Sequence, residues 1–124
     1  MTRNGGGAWA QTTYWPFLHV AKYARGTALN AIVDSPKYDC KEFTDVPYIE
    51  ATATLEDDGS VSVFAGNRDS EEDTVLDIDL HAFGSLRIAE HILLHHDDVN
   101  AVNTEENPGN VIPAAGPQLE CHPL

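Results

Sequence analysis

The acidic side chains are the first candidates for chemistry in this sequence of 124 residues. Two carboxyl groups can cleave a glycosidic bond when they lie about 5–5.5 Å apart for retention of configuration, or about 6.5–9.5 Å apart for inversion. Most acids here fall in turn segments such as Glu56-Asp57-Asp58 and Glu71-Glu72-Asp73, where solvation keeps them ionised. Glu50 and Glu90 lie on predicted strands, but the sequence identifies no apolar pocket around either. We therefore expect no catalytic carboxylate pair in this chain.

The histidines near the end of the chain are the next candidates. His91, His95 and His96 stand close to Asp97 and Asp98, a composition that could bind a metal ion. On a strand, however, His91 and His95 would be two pleats apart and His96 would face the other side. Ordinary exposed or hydrogen-bonded histidines are favoured, and no Ser/His/Asp or Cys/His set has a local signature. We expect no metal and no cofactor.

Trp9 and Gln11 lie where a glycine-rich loop enters an aromatic segment. At the mouth of an α/β barrel, an indole face can pack on a sugar ring and a carboxamide can bind its hydroxyls. The alternative is that Trp9 belongs to the core and Gln11 begins a helix, and composition and spacing alone favour that alternative. Gly5-Gly6-Gly7 lacks the spacing of a phosphate-binding loop.

A helix is predicted from Thr12 to Arg25, directly after these two residues. Apolar and aromatic residues recur there at steps of three and four, as in Tyr14, Phe17, Leu18 and Ala21. Gly26 suits the position after the helix. The segment contains no acid, and we expect its apolar surface to be covered by something larger than this chain.

The stretch from Tyr48 to Asn67 predicts an antiparallel hairpin, and the other strands are expected to lie beside it. Apolar and polar residues alternate on both arms, and Asp57-Asp58-Gly59-Ser60 supplies the turn. Further strands are predicted at Thr27 to Val33, Thr74 to Leu80, Leu86 to His95 and Val111-Ile112. Their regular spacing predicts a mainly β fold, an antiparallel β-sandwich of Greek-key or jelly-roll type.

The net charge of −13 is distributed unevenly along the chain. Every acidic residue lies at or after Asp34, so the first 33 residues carry +3 and the remainder carries −16. This asymmetry indicates a boundary near Thr27 to Asp34. It argues against a nucleic-acid partner, which requires a basic surface. A solvated sandwich surface explains the acids; adaptation to high salt is the alternative, given only three lysines.

The cysteines and the apolar runs bear on location. Cys40 and Cys121 are expected to be free thiols, because Cys121 lies in a tail rich in Pro and Gly and cytosolic proteins seldom keep structural disulfides. No run approaches the ~20 apolar residues of a membrane span. The segment Met1 to Gly7 does not resemble a signal peptide. We predict a cytoplasmic location without membrane contact.

Several ordered segments resemble one known family. The run Gly-Gly-Gly-Ala-Trp-Ala-Gln-Thr-Thr-Tyr-Trp-Pro-Phe-Leu-His-Val-Ala-Lys-Tyr-Ala-Arg-Gly, residues 5–26, resembles the last barrel segment of the α-L-arabinofuranosidases of glycoside hydrolase family 51. Four later segments resemble the C-terminal domain of that family in the same order: residues 34–39, 44–50, 64–69 and 90–91. The resemblance runs from about Asn4 to about Ile112.

The resemblance implies a (β/α)₈ barrel joined to a jelly-roll β-sandwich, with a retaining mechanism that uses two glutamates. Those glutamates belong to barrel strands that precede the equivalent of Gly5, so this chain resembles a C-terminal fragment. Residues 1–26 would be the terminal loop and helix of the barrel, and residues 27–124 an incomplete sandwich. In the family, a strand from before the barrel and a strand after this tail complete that sandwich.

The implied activity is release of terminal non-reducing α-L-arabinofuranosyl residues from arabinose-containing oligosaccharides, without metal or cofactor. Gln11 matches a family glutamine that contacts the arabinose, and Trp9 is a weaker substrate-binding candidate. Ala10 stands where relatives usually carry Arg, and Cys40 where Thr or Ser is usual. The implied partners are the preceding barrel of the same polypeptide, the oligosaccharide and further copies of the subunit. The alternatives are a free-standing carbohydrate-binding sandwich and another specificity of the family, such as an endoglucanase.

Overall fold

The computed structural model describes residue 2 and residues 4–120, and its elements are mainly antiparallel β with one α-helix. The helix α1 is Tyr14–Tyr23. The strands are β1 Thr27–Leu29, β2 Lys37–Tyr38, β3 Val46–Pro47, β4 Ile49–Leu55, β5 Val61–Asn67, β6 Ile92–Leu93 and β7 Ala114–Ala115. The chain divides into two compact units, Met1–Phe17 with Leu76–Leu124 and Leu18–Val75. The mainly β fold class with a single preceding helix is therefore confirmed.

The unit Leu18–Val75 contains the antiparallel hairpin that the sequence predicts, so that prediction is confirmed. Strands β4 and β5 pair antiparallel from Ile49 opposite Asn67 to Leu55 opposite Val61. Gly59 adopts a φ of +84° in the turn, a conformation that L side chains rarely adopt. The Asp58 carboxylate accepts hydrogen bonds from Ser60 N at 2.9 Å and Ser60 Oγ at 2.6 Å. These bonds complete the tight turn that sets the register of the two strands.

Strand β1 pairs antiparallel with the other edge of β4, which gives the order β1-β4-β5. Gly26 lies between α1 and β1, against the backbone of β4. A Cβ atom at this position would come within 2.0 Å of Leu55 O. Gly26 therefore permits a close approach of two backbones at the start of the sheet.

Two short strands, β2 and β3, precede the hairpin. Strands β2 and β3 pair antiparallel, and the rings of Tyr38 and Tyr48 lie with their centroids 4.6 Å apart. Tyr48 N donates to Pro36 O at 3.0 Å, and Ile49 N donates to Ser35 Oγ at 3.0 Å. These bonds fix the entry of the chain into β4, where Ile49 is buried.

The second unit contains the pair β6 and β7, antiparallel with Ile92 opposite Ala115. His91 lies directly on the backbone of Gly116, where an added Cβ would come within 2.3 Å of the imidazole ring. Gly116 N donates to His91 O at 2.9 Å, and His91 Nδ1 lies 2.9 Å from Pro117 O. Any other residue at position 116 would therefore require the His91 ring to move.

Several predicted elements are shorter than the sequence pattern suggests or lie elsewhere. The helix is Tyr14–Tyr23 rather than 12–25, the strand predicted at 27–33 ends at Leu29, and that predicted at 86–95 is reduced to β6. The short strand predicted at 111–112 is replaced by β7, and 74–80 is not a strand. A strand exists only where a neighbour pairs with it, and 74–80 has no such partner among the described residues.

Candidate functional site

The candidate site is a cluster built around Asn103, a side chain with only 1% of its surface exposed. We call this group of residues the Asn103 cluster, and all of its members belong to the unit Met1–Phe17 with Leu76–Leu124. The members are Trp9, Ala10, Gln11, Trp15, Asn103 and Val111. The four residues before or within the helix are half-buried, and Val111 is buried. A buried polar side chain is stable only when its hydrogen bonds are made, so the partners of Asn103 define the cluster.

The Asn103 carboxamide pairs with both backbone groups of Val111, as the backbone of a neighbouring strand would. Its Oδ1 accepts from Val111 N at 2.7 Å, and its Nδ2 donates to Val111 O at 2.9 Å. The same Nδ2 donates to Ala10 O at 3.0 Å. A carboxamide offers two donors and an acceptor oxygen, and here it bridges the backbones of Ala10 and Val111.

The backbone carbonyl of Asn103 receives both side chains that the sequence selected as substrate-binding candidates. Trp9 Nε1 donates to Asn103 O at 3.2 Å, and Gln11 Nε2 donates to the same oxygen at 2.8 Å. Val111 O similarly accepts from Trp15 Nε1 at 3.2 Å in addition to the Asn103 carboxamide. Two carbonyl oxygens, each with two donors, thus orient both indoles and the Gln11 carboxamide.

Two local hydrogen-bonded features flank the Asn103 cluster in the sequence. The helix begins at Tyr14, whose N–H donates to the carbonyl of Gln11 at 3.0 Å. On the other side, the loop from Val102 to Val111 is closed by Asn110 Nδ2, which donates to Val102 O at 3.1 Å. Asparagine and proline favour such compact turns, and this loop has the composition Asn-Thr-Glu-Glu-Asn-Pro-Gly-Asn between its valines.

The structure brings Trp9 and Gln11 together, while their predicted contact with a sugar stays a prediction. Asn103 and Val111 are cluster residues that sequence reasoning missed. Asn103 lies in a polar segment that reads as an exposed loop, and an asparagine in such a segment is usually a turn residue. The available signal is weak: valines at 99, 102 and 111 flank the loop and indicate that part of it is buried.

The strand carboxylate Glu50 forms an ion pair with Arg68, which also donates from Nη1 to Pro47 O at 3.1 Å. This pairing gives Glu50 a structural partner on the exposed side of the hairpin. Two other acids have lowered pKa values. Hydrogen bonds from the Ser60 hydroxyl and backbone lower the pKa of Asp58, and the His81 backbone N–H, aided by the charge of His81, lowers the pKa of Asp79.

The three candidate histidines have separate local partners. His91 lies on Gly116 as described above, and His95 Nε2 lies 3.1 Å from Asp97 Oδ1. His96 Nδ1 accepts from Asp98 N at 3.0 Å. Within residues 4–120, no three His, Cys, Asp or Glu side chains are grouped so that they could hold a metal ion.

The free thiol prediction can be examined for one cysteine only. Cys40 is exposed and forms no disulfide among the described residues, whereas Cys121 lies outside them. In the part of the chain that the structure describes, no helix is long and apolar enough to cross a membrane.

Comparison with known families gives the class of protein. The model of the α-L-arabinofuranosidase C-terminal domain matches residues 1–122, so the match includes the tail after Ile112. The chain belongs to the α-L-arabinofuranosidase C-terminal domain family.

Individual relatives agree with this family and show how much of them the chain covers. An intracellular exo-α-(1→5)-L-arabinofuranosidase of Bacillus subtilis is 43% identical over 114 residues, which are 91% of this chain and 22% of the relative. An exo-α-(1→6)-L-arabinofuranosidase of Bifidobacterium longum is 39% identical over 113 residues, 90% of this chain and 22% of the relative. The chain spans about one fifth of the length of the curated relatives it matches.

A solved structure has the same fold. The family 51 α-L-arabinofuranosidase AbfB from Bifidobacterium longum superposes with a TM-score of 0.85 at 36% sequence identity, over 93% of this chain and 22% of that chain. The fold is therefore the β-sandwich type of the C-terminal domain of these enzymes, as the resemblance implied.

Proposed function

We propose that this chain is the C-terminal portion of an intracellular α-L-arabinofuranosidase that releases terminal non-reducing α-L-arabinofuranosyl residues by a retaining mechanism. The longer polypeptide is called the parent enzyme below. The observation that carries the proposal is the match of nearly the whole chain to about one fifth of enzymes whose names state this activity. The relatives differ in linkage, (1→5) or (1→6), so the proposed substrate class is arabinofuranosyl oligosaccharides.

The role of the chain in the parent enzyme follows from its two parts. Residues 1–26 complete a (β/α)₈ barrel, and residues 27–124 form the accessory sandwich. The exposed apolar side chains of α1, including Phe17 at 79% exposure, support this division because a barrel would cover them. The sandwich covers the barrel and helps subunits to assemble.

Gln11 binds the arabinose ring, and Trp9 offers an indole face beside it. The support is that both side chains donate to one carbonyl oxygen and lie a few residues before a helix that would close the barrel. A fixed carboxamide loses less conformational freedom when it binds a sugar hydroxyl. Two glutamates in the preceding barrel supply the acid–base and nucleophile functions, and this chain by itself is inactive.

Activity measurements on two proteins test the proposal. The parent enzyme is expected to hydrolyse an aryl α-L-arabinofuranoside, and the purified 124-residue chain is expected to give no turnover at high concentration. Activity of the chain that disappears on Glu50→Gln or Glu90→Gln would place the chemistry within it. A parent inactive on arabinofuranosides but active on a glucan would favour the endoglucanase alternative, and arabinoxylan binding by the chain alone would favour a carbohydrate-binding module.

A further inference from the structure

We propose that Asn103 is a positioning residue in the parent enzyme: it fixes the loop of residues 9–11, Trp9, Ala10 and Gln11, in the geometry that binds the sugar. This inference rests on the proposed function, because it gives a role to Asn103 only if Gln11 contacts substrate. Asn103 itself is 1% exposed and does not touch the sugar. It acts through the loop that it holds.

The side chain of Asn103 is held by three hydrogen bonds. The carboxamide of Asn103 anchors the loop at Ala10 O and anchors itself at both backbone groups of Val111, with distances between 2.7 and 3.0 Å. These bonds leave the carboxamide no freedom to rotate, since each of its atoms is engaged in a defined direction. The backbone of Asn103 is fixed by the same contacts.

The backbone carbonyl of Asn103 orients the side chains of Trp9 and Gln11. Asn103 O accepts from Trp9 Nε1 and Gln11 Nε2. A carbonyl oxygen with two lone pairs can accept two such bonds, and their directions then set the planes of both side chains. Ala10 lies between the two donors and is tied to the Asn103 side chain, so three consecutive residues depend on one asparagine.

A small displacement of the loop is expected to lower the catalytic rate considerably. Displacing a substrate-binding group by about 1 Å can lower a rate about 100-fold. When Asn103 is replaced by Ala, the backbone carbonyl remains but the bonds that hold it in place are lost. Trp9 and Gln11 can then move with the carbonyl, which weakens the binding geometry without removing any group that touches the sugar.

The experiment measures kcat and KM of the parent enzyme on an aryl α-L-arabinofuranoside, below the melting temperature of every variant. Asn103→Ala is expected to lower kcat/KM about 10- to 100-fold, with the larger part of the change in kcat. In a Gln11→Ala background, the same substitution is expected to cost less than about threefold, because the group that it positions is already absent.

Asn110→Ala is the matched control. It removes an asparagine of the same loop, whose Nδ2 donates to Val102 O and not to Trp9, Ala10 or Gln11. We expect kcat/KM of this variant to stay within about twofold of the wild type even if its melting temperature falls. Hydrogen exchange of the peptide covering residues 8–15 should accelerate in Asn103→Ala and not in Asn110→Ala.

The outcomes separate the inference from the function on which it rests. If Gln11→Ala is strongly impaired while Asn103→Ala changes only the melting temperature, Asn103 is a stabilising residue only and the proposed function stands. If Gln11→Ala has normal kinetics, the sugar-binding role of Gln11 is wrong. If Asn103→Ala does not fold, Asn103→Ser keeps a short donor and acceptor; an intermediate kcat/KM supports the inference, and wild-type kinetics contradict it.

Discussion

At the scale of single residues, Gln11 has a structural contact in addition to its proposed binding role. Its carboxamide donates to Asn103 O at 2.8 Å, so a loss of stability on substitution is expected whatever its other role. A typical neutral hydrogen bond contributes about 1 kcal/mol to the free energy of unfolding. Kinetics are therefore needed to separate a binding role from a structural one.

Gln11→Ala in the parent enzyme is predicted to lower kcat/KM about tenfold to 150-fold, or about 1.5–3 kcal/mol, because hydrogen bonds to the sugar tighten as the ring distorts. The melting temperature and kcat/KM should be measured on the same preparation. A lowered melting temperature with unchanged kinetics would remove Gln11 from the sugar site and leave it as a partner of Asn103.

Ser60→Ala is predicted to raise the pKa of Asp58 toward the ordinary carboxyl value. In the native hairpin, the Ser60 hydroxyl and backbone N–H stabilise the ionised carboxylate and lower its pKa. A lowered folded-state pKa means that the stabilisation is present above the ordinary carboxyl pKa and is lost as the pH falls through the lowered one. NMR titration of ¹³C-labelled carboxyl groups measures the shift.

Ser62→Ala is the control for this titration. Ser62 lies in β5, two residues after Ser60, whereas the hydrogen bonds to Asp58 come from Ser60. We expect the pKa of Asp58 to keep its native value in this variant. An equal rise in both variants would mean that the hydroxyl of Ser60 is not the cause.

At the scale of elements, the junction of α1 with the sheet depends on Gly26. Gly26→Ala is predicted to lower the free energy of unfolding by about 1–3 kcal/mol, because the new Cβ would meet Leu55 O at 2.0 Å and the two backbones must separate. Gly66→Ala is the matched control in the same sheet, since a Cβ there meets no atom within 4 Å. Denaturant unfolding of both variants measures the difference.

We expect Gly66→Ala to be neutral or stabilising by up to about 1 kcal/mol, because glycine costs conformational entropy within a strand. Equal destabilisation of both variants would show that the close approach at Gly26 is relaxed in solution. A pronounced loss at Gly26 alone would identify this position as the contact that limits how closely β1 approaches β4.

Local signals account for the elements that the sequence predicted well. The hairpin 48–67 combines alternation on two arms with an Asp-Gly turn, so all of its information lies within 20 residues and its register follows. The helix Tyr14–Tyr23 lies within the predicted range 12–25, and the signals that predict it are local as well. The extents of β6 and β7 do not follow from local signals, because a strand ends where its partner ends.

The Asn103 cluster could be predicted only in part for the same reason. Residue type makes Trp9 and Gln11 candidates and the resemblance favours them as sugar-binding residues, and both signals can be read locally. Their acceptor is a backbone carbonyl more than 90 residues away. A backbone carbonyl has no sequence signature. Residues 100–110 contain four asparagines, and nothing in the sequence distinguishes Asn103 from the other three.

At the scale of the whole molecule, the chain exposes an unusually large area. Its accessible surface is 10111 Å², whereas a folded monomer of 13.5 kDa is expected to expose about 6,500 Å². Among the described residues only Ile49 and Val111 are buried apolar side chains, and Ile32 and Val75 are more than 90% exposed. Such surface is favourable only when another molecule or another part of the polypeptide covers it.

The isolated chain is therefore predicted to associate or to unfold in part. Within the described residues, β5 pairs on one edge only, and an unpaired edge favours intermolecular strand pairing. Light scattering should give a mass above that of the monomer, and thermal unfolding should be broad. A sharp monomer peak with cooperative unfolding would contradict this prediction, while solubility alone would not, because the charge of −13 provides repulsion.

The distance along the chain between the parts of the Asn103 cluster has a consequence for synthesis. Gln11 and Trp9 precede Asn103 by 92 and 94 residues. At translation rates of about 5–20 residues per second, Gln11 is synthesised roughly 5–20 s before Asn103. The Asn103 carbonyl can therefore orient Gln11 and Trp9 only after the segment that contains residue 103 has emerged. A chain that terminates early would carry the Gln11 and Trp9 side chains without the carbonyl that orients them.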